Sequence, residues 1–177
     1  MPLHTAYHNP ECSLARTLDL VGHRWTLLVL RELFLGVHRF DEIQRDLGVA
    51  RTVLGTRLQA LTADGIVERR RYQEHPPRFE YHLTERGLEL WPALIALMRW
   101  GDRHALAAGA QPAVRLSHRG CGGGLDDHLT CERCGEPLGP RDVWAEPGEG
   151  AGPDHPLRRR ESTSARPSSV ERRAGAT

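Results

Sequence analysis

Lysine is missing from the 177-residue chain, and all 24 of its basic residues are arginine. That bias makes any single arginine weaker evidence for a binding role than usual. A run of about 18 apolar residues is also missing, which excludes an ordinary membrane-spanning helix. The opening MPLHTAYHNPEC lacks the charged, apolar and small-residue order of a secretory leader, so the expected location is the cytoplasm. Cysteine is scarce, at four residues. In a cytosolic setting four thiols argue for metal binding or thiol chemistry rather than a disulfide framework. Catalytic groupings are absent too: the histidines are scattered, serine gathers near the C-terminus, and no glycine-rich phosphate loop precedes a helix. No enzyme is expected. The net charge of +1 by itself says nothing about partners.

What is present is an apolar content of 39%, enough for one ordinary domain in the first two thirds and a small appendage after it. Residues 1–10 carry two His and two Pro without apolar periodicity and read as a mobile arm. A first helix is expected over Glu11 to Leu20, broken by Val21 and Gly22. A second runs from His23 to Leu35, with Trp25, Leu28, Val29, Leu33 and Phe34 on its buried face. Phe40, Ile43 and Leu47 give a third helix, and Gly48 turns the chain into a fourth. There Leu54, Leu58 and Leu61 recur at i, i+4 and i+7 and line one face, while Arg51, Thr52, Thr56 and Arg57 point elsewhere. Gly65 stops this helix. Ile66 to Tyr72 is a strand carrying Arg69, Arg70 and Arg71, and His75-Pro76-Pro77 makes a turn. Phe79 to Thr84 returns as the pairing strand with Phe79, Tyr81 and Leu83 inward. Two helices and a tight turn followed by a basic-tipped hairpin make a winged helix-turn-helix. From Arg51 to Arg78 six arginines face three acids, a local charge of +3 that suits phosphate contact. Leu88, Trp91, Leu94, Ile95 and Met98 then predict one long helix from a Thr84 cap to about Ala108, with Pro92 marking a kink or a restart.

Taken in order, Cys12, Asp19-Leu20-Val21-Gly22, Arg24-Trp25-Thr26, Leu30-Arg31-Glu32-Leu33, Gly36, Arg39-Phe40, Arg57-Leu58, Asp64-Gly65, Pro77-Arg78, Glu80-Tyr81, Leu83-Thr84, Gly87 and Trp100-Gly101 form a specific pattern. It resembles the HxlR-type winged helix transcriptional regulators, relatives of the broader MarR-like group, from about Cys12 to about Leu106. The resemblance implies binding of double-stranded DNA by a homodimer built on the first and last helices, and repression from a near-palindromic operator. The DNA-contact set it implies is Arg39, Ala50, Arg51, Thr52, Gly55, Thr56 and Arg57, with Arg71 and Arg78 from the wing. Arg51, Thr52 and Thr56 would face the major groove, and Arg78 the adjacent minor groove or its phosphates. Two assignments stay open on the residues alone: Arg57 can instead anchor a neighbouring element, and Arg69, Arg70 and Arg71 can be a solvated strand edge. Ala50 and Gly55 stand where the family often has Ser. Ala50 cannot cap its helix, at a cost of about 1 kcal/mol, and Gly55 gives up one contact, so no operator sequence can be borrowed.

Beyond a hinge at Gly109 to Pro112, His118-x2-Cys121-x9-Cys131-x2-Cys134 reads as a closed tetrahedral zinc site, with Gly122, Gly123, Gly124 and Gly135 in its turns. His128 competes as a ligand, and a Cys131/Cys134 redox pair or a site without metal are the alternatives. With only Leu116, Leu125, Leu129, Leu138 and Val143 as apolar content, the unit over residues 113–143 needs such a staple. Cys12 has two readings. The amides of a helix start favour its thiolate, and some HxlR-like regulators use an N-terminal Cys to sense electrophiles or oxidants. Otherwise it is a small apolar residue at a dimer interface. Residues 144–177 read as a disordered tail. The expected fold is thus mainly α with a small β-hairpin wing over 11–109, followed by the Cys-rich unit. A competing function is a protein-interaction adaptor, with the Cys-rich unit as the active surface and the winged helix only dimerising.

Overall fold

A computed structural model describes residues 12–161, with side chains to residue 159; the arm expected over 1–10 lies outside that range. The elements are α1 (Ser13–Val21), α2 (Arg24–Phe34), α3 (Phe40–Leu47), α4 (Arg51–Ala63), β1 (Val67–Gln73), β2 (Arg78–Leu83), α5 (Glu85–Leu88), α6 (Trp91–His104), β3 (Val114–His118), β4 (Val143–Pro147) and α7 (Pro156–Glu161). Among the described residues no helix is long and apolar enough to cross a membrane.

Local chemistry sets the breaks. His23 caps α2, its Nδ1 accepting from the Trp25 amide at 3.2 Å. Gly48 ends α3 at φ 61°, and Gly65 follows α4 at φ 67°. Both lie in the left-handed region that glycine enters without a Cβ clash. Pro92 sits in the first turn of α6, where its missing N–H leaves no hydrogen bond unmade. The single long helix expected after Thr84 is therefore two, α5 and α6, with Pro92 marking the restart and His104 rather than Ala108 the end.

The main core forms where α4 lays Leu54, Leu58 and Leu61 against Val29, Leu30 and Leu33 of α2, Ile43 of α3, and Ile66 and Val67. On α2 the buried set is Thr26, Val29, Leu30, Glu32 and Leu33. Leu28, expected inside, is only half-buried, and Phe34 turns to a second cluster. The reason is that α2 touches α3, α4 and α6 at once, so its apolar surface is wider than one stripe.

β1 and β2 pair antiparallel from Val67↔Leu83 to Gln73↔Arg78, with an irregularity between Arg71 and Gln73. Tyr81 and Leu83 pack on the core. Phe79, expected to join them, lies under the Arg69 guanidinium instead, 3.4 Å from the ring centroid. The Tyr81 amide donates to His38 O at 2.8 Å, tying the hairpin to the α2–α3 turn. Gly87 of α5 is buried so close to the Ile66 carbonyl that a Cβ would collide with it.

β3 and β4 pair antiparallel from Val114↔Pro147 to His118↔Val143. The expectation of disorder from residue 144 is corrected for 144–161: Trp144 to Pro147 complete this sheet, Ala151 and Leu157 are buried, and α7 packs on β4. Glycine, proline and arginine dominate the composition there and conceal a strand too short to show periodicity. The remainder, 162–177, lies outside the described residues. Nor does the ribbon hold a core of its own. Leu125, Cys131, Leu138 and Val143 share one cluster with Trp91 and Ile95 of α6, and Phe34, Met98, Leu116, Cys121 and Leu129 pack at its edge.

Candidate DNA-reading face and metal centre

Burying Leu54, Leu58 and Leu61 turns the opposite side of α4 outward, and Arg51, Thr52 and Thr56 are all exposed. Arg51 is held at its root: Nη1 reaches Asp41 Oδ1 at 3.1 Å, and the guanidinium lies over the Phe40 ring. The Thr56 hydroxyl donates to the Thr52 carbonyl at 2.9 Å. Ala50 makes no side-chain cap. At Gly55 an added Cβ would meet nothing within 4 Å, so packing does not require glycine there. Arg57 is half-buried and faces the start of α2. Burial chiefly, and then the Arg57 charge, lower the pKa of His23.

In the wing, Arg71 pairs with Glu74 at 3.0 Å and Arg70 with Glu68, while Arg69 covers Phe79. Arg78 is exposed at the start of β2. Arg39 joins the two parts, its Nε donating to Glu80 Oε1 at 3.2 Å and its guanidinium lying over Tyr72. Partial burial works to raise the Glu80 carboxyl, but hydrogen bonds from Arg39 and His82 outweigh it and hold the group below the usual carboxylate range. His82 also stacks on His38 with centroids 4.2 Å apart. Sequence reading found Arg39 but not Glu80 or the histidine stack, because these pairings join elements distant in sequence, nor Asp41, whose partner Arg51 lies on the next helix across a turn whose geometry spacing alone does not give.

His118 closes β3 and Cys121 lies in the turn after it, while Cys131 and Cys134 come from the facing turn. His118 Nδ1 is 3.3 Å from both Cys121 Sγ and Cys134 Sγ, and Cys121 Sγ is 3.4 Å from Cys131 Sγ. One ligand atom from each of the four lies within 4.8 Å of the others, with all four cysteines of the described chain free. Ligands about 2.3 Å from a central ion stand about 3.8 Å apart at tetrahedral angles, so the cluster has roughly the dimensions of one such site. Each pair is folded by a glycine directly after its cysteine: Gly122 at φ 74° and Gly135 at φ 77°. Their amides donate back to the carbonyls of His118 (2.8 Å) and Cys131 (2.9 Å). A Cβ at Gly123 would stand 2.6 Å from Cys131 Sγ. His128, the competing ligand, is outside the set.

Electrostatics point the same way. Burial works to raise the Cys131 thiol, yet the amides of Cys134 and Arg133 and the neighbouring thiols bring it down to about 6. The Glu136 amide favours the Cys134 thiolate, but burial and the nearby sulfurs push that thiol up to about 11. Clustered acids split in this way when no cation balances them. His118 presents its second nitrogen, Nε2, to Glu136 Oε2 at 3.5 Å, the kind of carboxylate contact that orients a metal-bound imidazole. Cys12 lies apart, half-buried at the cap position of α1 with no side-chain cap bond.

A family model described as HxlR-like helix-turn-helix matches residues 20–108. The chain belongs to that family. It is 46% identical over 138 residues to an uncharacterized HTH-type transcriptional regulator of Mycobacterium tuberculosis, covering 78% of this chain and 87% of the relative. The crystal structure of PA1607, described as a candidate transcription factor, superposes with a TM-score of 0.61 at 34% identity over 75% of this chain and 92% of that one. The redox regulator HypR in its oxidized form gives a TM-score of 0.51 at 34% identity, over 54% of this chain and 100% of its own. The protein is thus a DNA-binding transcriptional regulator of the HxlR-like type. A match of 138 residues within 177 necessarily takes in positions 40–138, so the alignment with the mycobacterial relative includes His118, Cys121, Cys131 and Cys134 as well as the winged helix.

Proposed function

We propose that the protein is a homodimeric repressor that docks two copies of α4 in successive major grooves of a near-palindromic operator and blocks transcription there. The observation that carries this is the outward face of Arg51, Thr52 and Thr56 on a helix whose other side is fully buried, beside a wing ending in exposed Arg78. Arg39, Ala50, Gly55, Arg57 and Arg71 complete the contact set, with Arg57 the member placed furthest toward the protein. The dimer reading is supported by apolar side chains left open on α1 and α6: Leu14 is 65% exposed, and Leu97 and Trp100 are each 57% exposed. Exposed apolar side chains of this size on a small regulator suit burial against a second copy. His118, Cys121, Cys131 and Cys134 hold one structural zinc ion. Cys12, at the start of α1, is the candidate oxidant- or electrophile-sensing thiol, a role supported by the likeness to HypR, a redox regulator by description. The cytoplasm is the working compartment.

Selection from a random duplex library at about physiological salt tests the reading. Enrichment of a short inverted repeat, with half-site centres about one helical turn apart, is the expected result. Uniform recovery of all duplexes would overturn it.

A further inference from the structure

We propose that the metal centre is a strut: its occupancy holds α6 and α3 of the DNA-binding half in place, and thereby sets DNA affinity. This rests on the zinc reading above. Two of the four ligands, Cys121 and Cys131, belong to the same apolar cluster as Trp91 and Ile95 of α6. The metal therefore fixes the very surface that keeps those two side chains only 4% and 6% exposed. Polar clamps reinforce the seat. Arg99 of α6 bonds Asp127 at 2.7 Å and also the Leu125 carbonyl, both in the loop between the ligand pairs. Arg141 reaches Glu85 of α5 at 3.3 Å.

A second arm runs the other way. His118 is the last residue of β3 and pairs with Val143, the first of β4. α7 packs on β4 with Leu157 buried. From α7, Arg159 bonds Asp46 of α3, whose carboxylate side chain is only 3% exposed. Asp46 stands two residues before the Gly48 turn that aims α4. A ligand set on β3 is thus joined by consecutive contacts to the helix preceding the reading helix. Thirty residues with so little apolar content lose their fold when the ligands are released, and both arms then lose their anchor.

The test is hydrogen–deuterium exchange on the full-length protein, with zinc bound and after chelation, with zinc content measured on both samples. On removal, protection is expected to fall across 114–147, and also in α6 around Trp91 to Met98 and in α3. Affinity for a selected duplex is expected to fall about tenfold, a usual size for coupling between two sites, and added zinc restores both. Loss confined to the ribbon overturns the strut while leaving the zinc reading intact. Protein purified without chelator that carries no zinc overturns both. Failure to bind any duplex in either form counts against the repressor reading, and the exchange data still decide the coupling. Because chelation can unfold the chain broadly, Arg159→Ala is measured beside it. That variant keeps all four ligands and is expected to hold one zinc and a protected ribbon while α3 loses protection; unchanged α3 protection refutes the second arm.

Discussion

Arg78 is the wing cation whose removal speaks most directly. In the proposed docking, Arg39, Arg51 and Arg71 would reach DNA by exchanging a protein carboxylate for a phosphate: Glu80 at 3.2 Å, Asp41 at 3.1 Å and Glu74 at 3.0 Å. Exposed pairs of this kind are worth about 0–1 kcal/mol, so the exchange is cheap and all three remain available. Arg78 is exposed and, with no carboxylate partner among the described residues, would enter the proposed wing contact without such an exchange. On the proposed homodimer, four arginines per protomer would give about eight phosphate contacts, each contributing about −0.9 to the log–log dependence of affinity on salt, for a slope near −7. Between about 50 and about 200 mM salt that amounts to a loss of about 20,000-fold. Arg78→Ala removes one contact from each protomer, so the slope should fall by about 1.8, to near −5. Specificity should survive, since a phosphate contact carries no sequence information. Anisotropy titrations of a selected duplex and a scrambled one, repeated across that salt range, read both quantities. A variant slope equal to the wild-type slope, or a wild-type complex insensitive to salt, refutes the docking geometry.

Gly87→Ala should destabilise the fold by about 1–3 kcal/mol, because the added methyl collides with the Ile66 carbonyl at the start of the wing; a urea midpoint matching wild type would show that the backbone yields freely. Zinc affinity should rise with pH. The Cys134 thiol, pushed up to about 11 without metal, must release its proton on binding, whereas Cys131, at about 6, is already ionised at neutral pH. Each proton released gives about tenfold in affinity per pH unit, so a dependence at least that steep is expected, and competition against a chromophoric chelator between about pH 6.5 and 8 measures it; a flat profile would contradict the assignment of Cys134 as a ligand. Cys12→Ser should abolish release of DNA by diamide or a quinone if Cys12 is the sensing thiol, and unchanged release in the variant would leave Cys12 as an interface residue.

How much of this was legible in the sequence varies with the range of the forces involved. The 3.6-residue spacing of Leu54, Leu58 and Leu61 identifies α4 and its buried face because one helix decides it. The ligand spacing of His118, Cys121, Cys131 and Cys134 likewise carries over into one cluster. The failures share a cause. Leu28 and Phe34 depart from the expected face because α2 packs against α3, α4, α6 and β2, which a single-stripe reading does not anticipate. Phe79 was placed in the core because strand alternation cannot foresee that Arg69 will cover it. The strand at Trp144 to Pro147 was missed because its partner lies some thirty residues upstream and its own composition reads as tail. Asp46–Arg159 spans 113 residues and has no local signature at all.

Charge explains why the two halves can work together without interfering. Residues 51–78 carry +3, whereas residues 113–149 hold four arginines against seven acids, a net of −3. A ribbon of that sign is repelled by phosphate within a Debye length of about 8 Å at physiological salt, so in the proposed docking it would not compete with α4 for the duplex and would bias the protomer to approach with the wing forward. The intramolecular pairs Arg39–Glu80, Arg51–Asp41 and Arg71–Glu74 act in the same direction. They neutralise part of the reading surface until a phosphate or base displaces the carboxylate, which lowers attraction to arbitrary DNA more than to a site where every arginine finds a partner. In a chain whose every basic residue is arginine, that masking separates a reading surface from a merely adhesive one. It also makes the acids testable in their own right: Asp41→Asn should tighten binding to scrambled duplex more than to the selected one, and a variant that tightens both equally would show that Asp41 contributes no discrimination.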